Sequence, residues 1–162
     1  MTSLNRILCC LAAAALLAAC DRNPTPQQAR DGLEKRDVEV SPQSLIKETR
    51  SDDSQNARDM VRAGIDPNAK TAKGWTALMS AAYNGQADTV KLLIEKGADV
   101  NAEARGYTAL AAAVYSGNPD IVRMLLRAGA DPNRGQQSPL AAARGTGNKD
   151  MIKLLTGAGA KG

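Results

Sequence analysis

The apolar positions of this chain fall into short amphipathic blocks that recur. Leu78, Ala81 and Ala82 share one face of a helix, and Val90, Leu93 and Ile94 share one face of a second. Between the two blocks Gly85 lets the chain turn, and Gly97 ends the second block at a site suited to positive φ. Thr76 and Thr108 precede apolar blocks at positions where a hydroxyl can cap a helix. Asp99 and Asn101 then supply the short polar side chains that favour turns. Upstream, residues 21–43 carry Pro24, Pro26, Gln27, Gln28 and Pro42 among mixed charges with little periodicity. This composition predicts a flexible tether, with Leu33, Val38 and Val40 available to pack on the first of the recurring units.

The recurrence is close. Gly74-Trp-Thr-Ala-Leu-Met-Ser-Ala-Ala-Tyr-Asn-Gly85 aligns with Gly106-Tyr-Thr-Ala-Leu-Ala-Ala-Ala-Val-Tyr-Ser-Gly117 at a shift of 32. Asp88-Thr-Val-Lys-Leu-Leu-Ile aligns with Asp120-Ile-Val-Arg-Met-Leu-Leu, and again with Asp150-Met-Ile-Lys-Leu-Leu. Gly97-Ala-Asp-Val-Asn101 aligns with Gly129-Ala-Asp-Pro-Asn133 and with Gly64-Ile-Asp-Pro-Asn68. A period near 33 residues marks a solenoid, in which stacking makes one continuous core from repeats that cannot bury their helices alone.

These motifs resemble the ankyrin repeat, whose pattern runs Gly-x-Thr-Pro-Leu-His-x-Ala, a Gly, an apolar helix and Gly-Ala-Asp-Val-Asn. The resemblance implies an all-α solenoid of about four helix–turn–helix repeats with β-turn fingers, over residues 44–162. The repeats fall at about 41–70, 71–103, 104–135 and 136–160. The two central ones match well, the first is degenerate and the last truncated. Asp52, Asp53 and Arg58 make the first a polar cap; Arg144 and Lys149 do so for the last. The histidine of the pattern is replaced by Met79, Ala111 and Ala141. The connection Asn101–Gly106 is one residue shorter than Asn68–Gly74, and Asn133–Ser138 is two shorter than Asn101–Thr108, whose cap position Ser138 matches. The fingers are therefore expected to shrink toward the C-terminus.

Composition supports a thin layered stack. Among 162 residues there is no Phe, and the aromatics are Trp75, Tyr83, Tyr107 and Tyr115. A compact globule normally buries more aromatic area. The formal charge of +4 is mild. There is no His, which removes the commonest general base and metal ligand. Asp52, Asp53, Asp88 and Asp120 form no evident acid–base pair, the last two standing at helix starts. No phosphate loop or metal cluster is apparent, and Lys and Arg are scattered. The expectation is a monomeric, non-enzymatic domain without cofactor, metal or nucleic-acid partner.

The N-terminus carries an address. Arg6 precedes an apolar run from Ile7 to Ala19, whose Ile7–Leu17 core falls within the roughly 7–15 residues of a signal h-region. A spanning helix takes about 20 apolar residues. Leu17-Ala18-Ala19-Cys20 resembles the lipobox of bacterial lipoproteins. The resemblance implies a signal peptide over 1–19, cleavage before Cys20, and lipid on that cysteine. Cys9 and Cys10 would leave with the signal, so the mature domain would hold no other thiol. Asp21 resembles the signal that retains such proteins in the inner membrane. The expected arrangement is thus a signal peptide (1–19), lipidated cysteine and tether (20–43), and a periplasm-facing repeat domain.

Ankyrin stacks commonly bind through their fingers and first helices, which together form a concave face. The positions that project there in this family are Trp75 and Tyr83 in one repeat and Tyr107 and Tyr115 in the next. None of the four is then left for the interior. Lys73, Asn84, Arg105, Ser116 and Gln137 would form a polar and basic rim. Large amphipathic rings make good anchors; the same rings could instead pack one repeat on the next. The expected function is a membrane-anchored module that binds a periplasmic or envelope protein as adaptor, protector or inhibitor. One version is an immunity-type inhibitor of a toxic envelope hydrolase or lipase. Another class is a structural protein in which Lys73, Arg105, Arg123 and Arg127 meet anionic lipid.

Overall fold

The computed structural model describes residues 24–51 and 54–161, and all structural statements below concern these. The signal segment, Cys20, Asp21, Asp52 and Asp53 lie outside them. Among the described residues the chain forms helices α1 (Pro26–Lys35), α2 (Pro42–Glu48), α3 (Gln55–Arg62), α4 (Ala77–Tyr83), α5 (Ala87–Glu95), α6 (Ala109–Tyr115), α7 (Pro119–Arg127), α8 (Pro139–Thr146) and α9 (Lys149–Gly157). Two short antiparallel strands, β1 (Glu103–Ala104) and β2 (Tyr107–Thr108), complete it.

Helices α2, α4, α6 and α8 pack side by side as an inner layer, and α1, α3, α5 and α7 as an outer layer, while α9 packs on α8. The expected all-α solenoid is the observed architecture. Between the layers lies a core of Leu, Ile, Val, Met and many Ala, with Leu78, Leu93, Leu110 and Leu125 at most 1% exposed. Alanine on the inner helices allows close approach. Met79 and Ala111, where the repeat pattern has histidine, are fully buried. The caps survive that replacement, because Thr76 Oγ1 accepts the Met79 N–H and Thr108 Oγ1 accepts the Ala111 N–H.

One asparagine per repeat ties each unit to the next. The Asn68 side chain donates to the Gly97 carbonyl (3.1 Å) and accepts the Asp99 N–H (2.7 Å). Asn101 does the same to Gly129 and Asp131, and Asn133 to Gly159 and Lys161. Within each turn the aspartate two residues earlier accepts the asparagine N–H.

The fingers shorten along the chain as the spacing predicts. The first is a loop closed by a Lys70–Thr76 bridge, with the Thr71 N–H on the Trp75 carbonyl. The second is the β1–β2 hairpin. The third forms no hairpin: Gln137 N–H donates to the Gly106 carbonyl, docking the segment on the second finger. Gly135 permits this approach, since a Cβ there would stand 2.7 Å from the Gly106 oxygen.

The tether expectation is corrected between Pro26 and Lys35. This stretch is helix α1, packed on α3, with Leu33 fully buried and Ala29 nearly so. A capping box starts it: Thr25 Oγ1 accepts the Gln28 N–H while Gln28 Oε1 accepts the Thr25 N–H. Pro26 at the first helical position fits the same start. Arg36 then reaches Asp59 (2.6 Å), and Arg30 donates twice to the Ala63 carbonyl. Asp37 takes φ of 55° and the Val38 N–H returns to the Leu33 carbonyl. Gly64 and Gly97 hold the same left-handed place after α3 and α5, where Ile65 and Ala98 return to Met60 and Leu93. Helix α1 is thus the outer helix of an additional half-repeat.

Replacing Leu33 with Ala should therefore destabilise the domain by about 2–5 kcal/mol. Urea denaturation followed by circular dichroism measures it; a change near zero would mean that α1 does not belong to the folded unit.

Candidate functional site

The concave side of the stack is built from the first two fingers and the inner helices. Finger placement follows from local chemistry. The β1–β2 hairpin turns through Arg105 and Gly106, both at positive φ (53° and 82°), as a two-residue type I′ connection requires. Its alternation buries Ala104 and exposes Glu103, and it sets Tyr107 beside Trp75 of the preceding finger.

Three of the four aromatics form a contiguous series. Trp75 and Tyr107 meet edge to face with ring centroids 6.2 Å apart, and Tyr107 and Tyr115 stand 6.1 Å apart at a tilt of 50°. Tyr83 is 56% and Tyr115 44% exposed. Trp75 is half-buried and packs partly on the core. The expectation that no aromatic serves the interior is corrected for Trp75, whose position between finger and α4 gives its indole two faces to cover.

Two concavities share the Trp75–Tyr107 pair. The larger, about 520 Å³, lies between the first two fingers and includes Arg50, Lys73 and Arg105. The smaller, about 270 Å³, runs onto the inner helices between Tyr83, Tyr115 and Ala112. A third hollow joins Arg50 to Tyr83 and Asn84. The structure therefore brings together Trp75, Tyr83, Tyr107, Tyr115, Lys73, Arg105 and Asn84. Asn84 also donates to the Thr49 carbonyl (2.8 Å), so it fastens the first repeat as well as lining the hollow. Ser116 and Gln137 line none of these three concavities: Ser116 Oγ donates back to the Ala113 carbonyl, and Gln137 belongs to the third finger.

Arg50 is the residue that sequence reasoning misses. It follows α2 where Gly85 and Gly117 follow α4 and α6, so the repeat pattern calls for a small turn residue there. Its only signal is that departure. Elsewhere, Asp120 pairs with Arg123 on the exposed start of α7, and no group of His, Cys, Asp or Glu among the described residues could hold a metal ion. No helix among them is long and apolar enough to cross a membrane.

Comparison with known proteins agrees with the architecture. Residues 48–136, more than half of the chain, match the family of ankyrin repeats in three copies. A stretch of 94 residues, 58% of the chain, is 39% identical to the mitochondrial disaggregase of Homo sapiens and covers 11% of that protein. A stretch of 58 residues, 36% of the chain, is 47% identical to the mitochondrial disaggregase of Bos taurus and covers 9% of it. The chain thus spans about a tenth of the length of these relatives.

Arg105 occupies a backbone position that an ordinary L-residue enters at a cost of roughly 1–2 kcal/mol. Asn-Gly is the favoured pair in such a turn. Arg105→Asn should raise stability by about 0.5–1 kcal/mol, measured by urea denaturation; lower stability would show that the arginine side chain supports the fold.

Proposed function

This chain belongs to the ankyrin-repeat family, and from that premise we propose that it is a protein-binding module, held at a bacterial membrane by lipid on Cys20, that engages an envelope protein through its concave face. The observation that carries the binding reading is the aromatic series Trp75–Tyr107–Tyr115, which spans two repeats and lines the two concavities that share Trp75 and Tyr107. Packing and binding are compatible here. Rings fixed against one another lose little freedom when a partner covers them, and pre-ordered anchors hold affinity. Arg105, kept in the left-handed region where glycine or asparagine would be easier, supports the same reading, since strain tends to cluster at functional positions.

The anchor reading rests on the order of Arg6, the apolar run, the small residues before Cys20, and Cys20 itself. Asp21 favours retention at the inner membrane, with the domain in the periplasm. Because helix α1 belongs to the stack, only Asp21–Thr25 separates a lipidated Cys20 from it. Five residues reach at most about 18 Å. The module would ride close to the bilayer and choose partners at or beside the membrane surface. Disaggregase activity stays with the relatives, of which this chain matches about a tenth.

Two measurements test the proposal. Trp75→Ala with Tyr107→Ala should abolish photo-crosslinking to the envelope partner and lower stability by about 1–3 kcal/mol. Tyr83→Ala should weaken crosslinking while leaving stability within about 0.5 kcal/mol. Undiminished crosslinking in both variants would leave the aromatics as packing residues only.

Cys20→Ser should abolish labelling by a clickable palmitate analogue and release the domain from membrane pellets. Label retained in that variant would refute the anchor. Sedimentation of the unsubstituted protein with outer-membrane porins on a sucrose gradient would refute the inner-membrane assignment.

A further inference from the structure

The larger concavity has a one-sided charge. Arg50, Lys73 and Arg105 line it and are exposed, and none of their side chains makes an ion pair or hydrogen bond among the described residues. Among the described residues no carboxylate lines it or the smaller hollow beside it. Glu103, two residues before Arg105, is exposed on the strand face opposite the buried Ala104, and Glu48, two residues before Arg50, accepts from the Asn56 side chain. Several basic residues elsewhere are partnered: Arg36 and Arg62 bind Asp59, Arg58 binds Ser54 and Gln55, and Arg123 binds Asp120. Three cations without an ion-pair partner among the described residues, converging on one hollow, raise the local concentration of anionic groups and repel cationic ones.

The aromatic series that begins beside these cations has a spacing. Ring centroids stand 6.2 and 6.1 Å apart along Trp75, Tyr107 and Tyr115. Alternate side chains of an extended peptide repeat every ~6.6 Å on one face. The two hollows share Trp75 and Tyr107, so they run in series from the fingers onto the inner helices. A linear chain can lay alternate apolar side chains over successive rings of that series while the carboxylates between them meet the cations at the finger end. A lipid headgroup would satisfy the cations and leave the aromatic series uncovered.

We propose that the occupant of this groove is an extended acidic segment of the partner protein, with apolar side chains at alternate positions over Trp75, Tyr107 and Tyr115 and carboxylates against Arg50, Lys73 and Arg105. This rests on the protein-binding reading of the concave face and names the chemistry of its partner.

The test pans the full chain, in detergent micelles, against a displayed library of random short peptides. Selected peptides should alternate apolar residues with Asp or Glu. Their affinity should fall steadily as salt rises, a readout that needs no variant. A triple variant, Arg50→Gln, Lys73→Gln and Arg105→Asn, should lose about tenfold or more in affinity while its circular dichroism and melting temperature show it folded. Peptides that depend on Trp75 and Tyr107 but are neutral or basic overturn the acidic assignment alone and leave the protein-binding reading standing. A library yielding no peptide that depends on those two rings overturns both. Short-chain phosphatidylglycerol bound through the three cations more tightly than any selected peptide assigns them to a lipid surface and overturns the proposal.

Discussion

Everything in this molecule depends on one repeat lying in register on the next. A pair of seven- to nine-residue helices, such as α4 and α5, is too short to persist alone in water. Its apolar residues are covered only when the neighbouring pair closes over them. Burial supplies the stability, at roughly 25 cal/mol per Å² of apolar surface removed from water. Burial between alanine-rich surfaces is nevertheless tolerant of sliding, because small side chains offer few knobs. The register comes from the directional contacts: Asn68, Asn101 and Asn133 each hold a carbonyl and an N–H of the following turn. These bonds are exposed and individually modest, about 0.5–1.5 kcal/mol each. Their value lies in geometry, since each fixes where the next finger begins.

That register makes the concave face a property of the stack. Trp75 belongs to one repeat and Tyr107 to the next, so their edge-to-face contact exists only if the repeats are correctly offset. The second finger is in turn held by the third segment through Gly135 and the Gln137–Gly106 hydrogen bond. At the other end α1 packs beside α3 in the outer layer, with Leu33 in the core and Arg36 on the nearly buried Asp59. The central repeats that carry the aromatics are braced from both sides. Not every contact in the stack is optimal: Thr89 Oγ1 is buried without a hydrogen-bond partner, at a position where the following repeats carry Ile121 and Met151.

What could be read from the sequence was whatever depends on local chemistry repeated several times. The Thr caps, the glycine at each outer-helix end and the Asp-x-Asn turn are each weak alone, and repetition makes them firm. The shrinking fingers were legible because they follow from counted residues between each turn Asn and the helix cap that follows it. Helix α1 was not. Its Pro and Gln content suits a tether, and its amphipathic pattern is too short, Ala29 and Leu33 alone, to stand out. The Thr25-x-x-Gln28 box was the available signal, outweighed by composition. Arg50 was hidden for a related reason: it lies in the degenerate repeat, where alignment to the central pair carries least information. The four aromatics could be placed on the concave side from their positions in the repeat, but their mutual distances could not, because those depend on the offset between repeats.

The choice of residues in the groove follows from these constraints. A thin stack has little core to spare, so a large side chain such as Trp75 is best placed where it both covers a repeat boundary and stays open to solvent. Tyrosine at 107 and 115 extends the same surface while keeping a hydroxyl for water or a partner. The cations then sit where they cost least: Lys73 and Arg105 on finger tips and Arg50 at a turn end, each exposed and so not desolvated in the free protein. Arg105 is the exception in backbone terms, since its left-handed φ is a cost that no side-chain hydrogen bond or ion pair among the described residues offsets. The two-residue turn sets that φ, and the Arg105 charge it presents has no ion-pair partner among the described residues and faces the groove between the first two fingers.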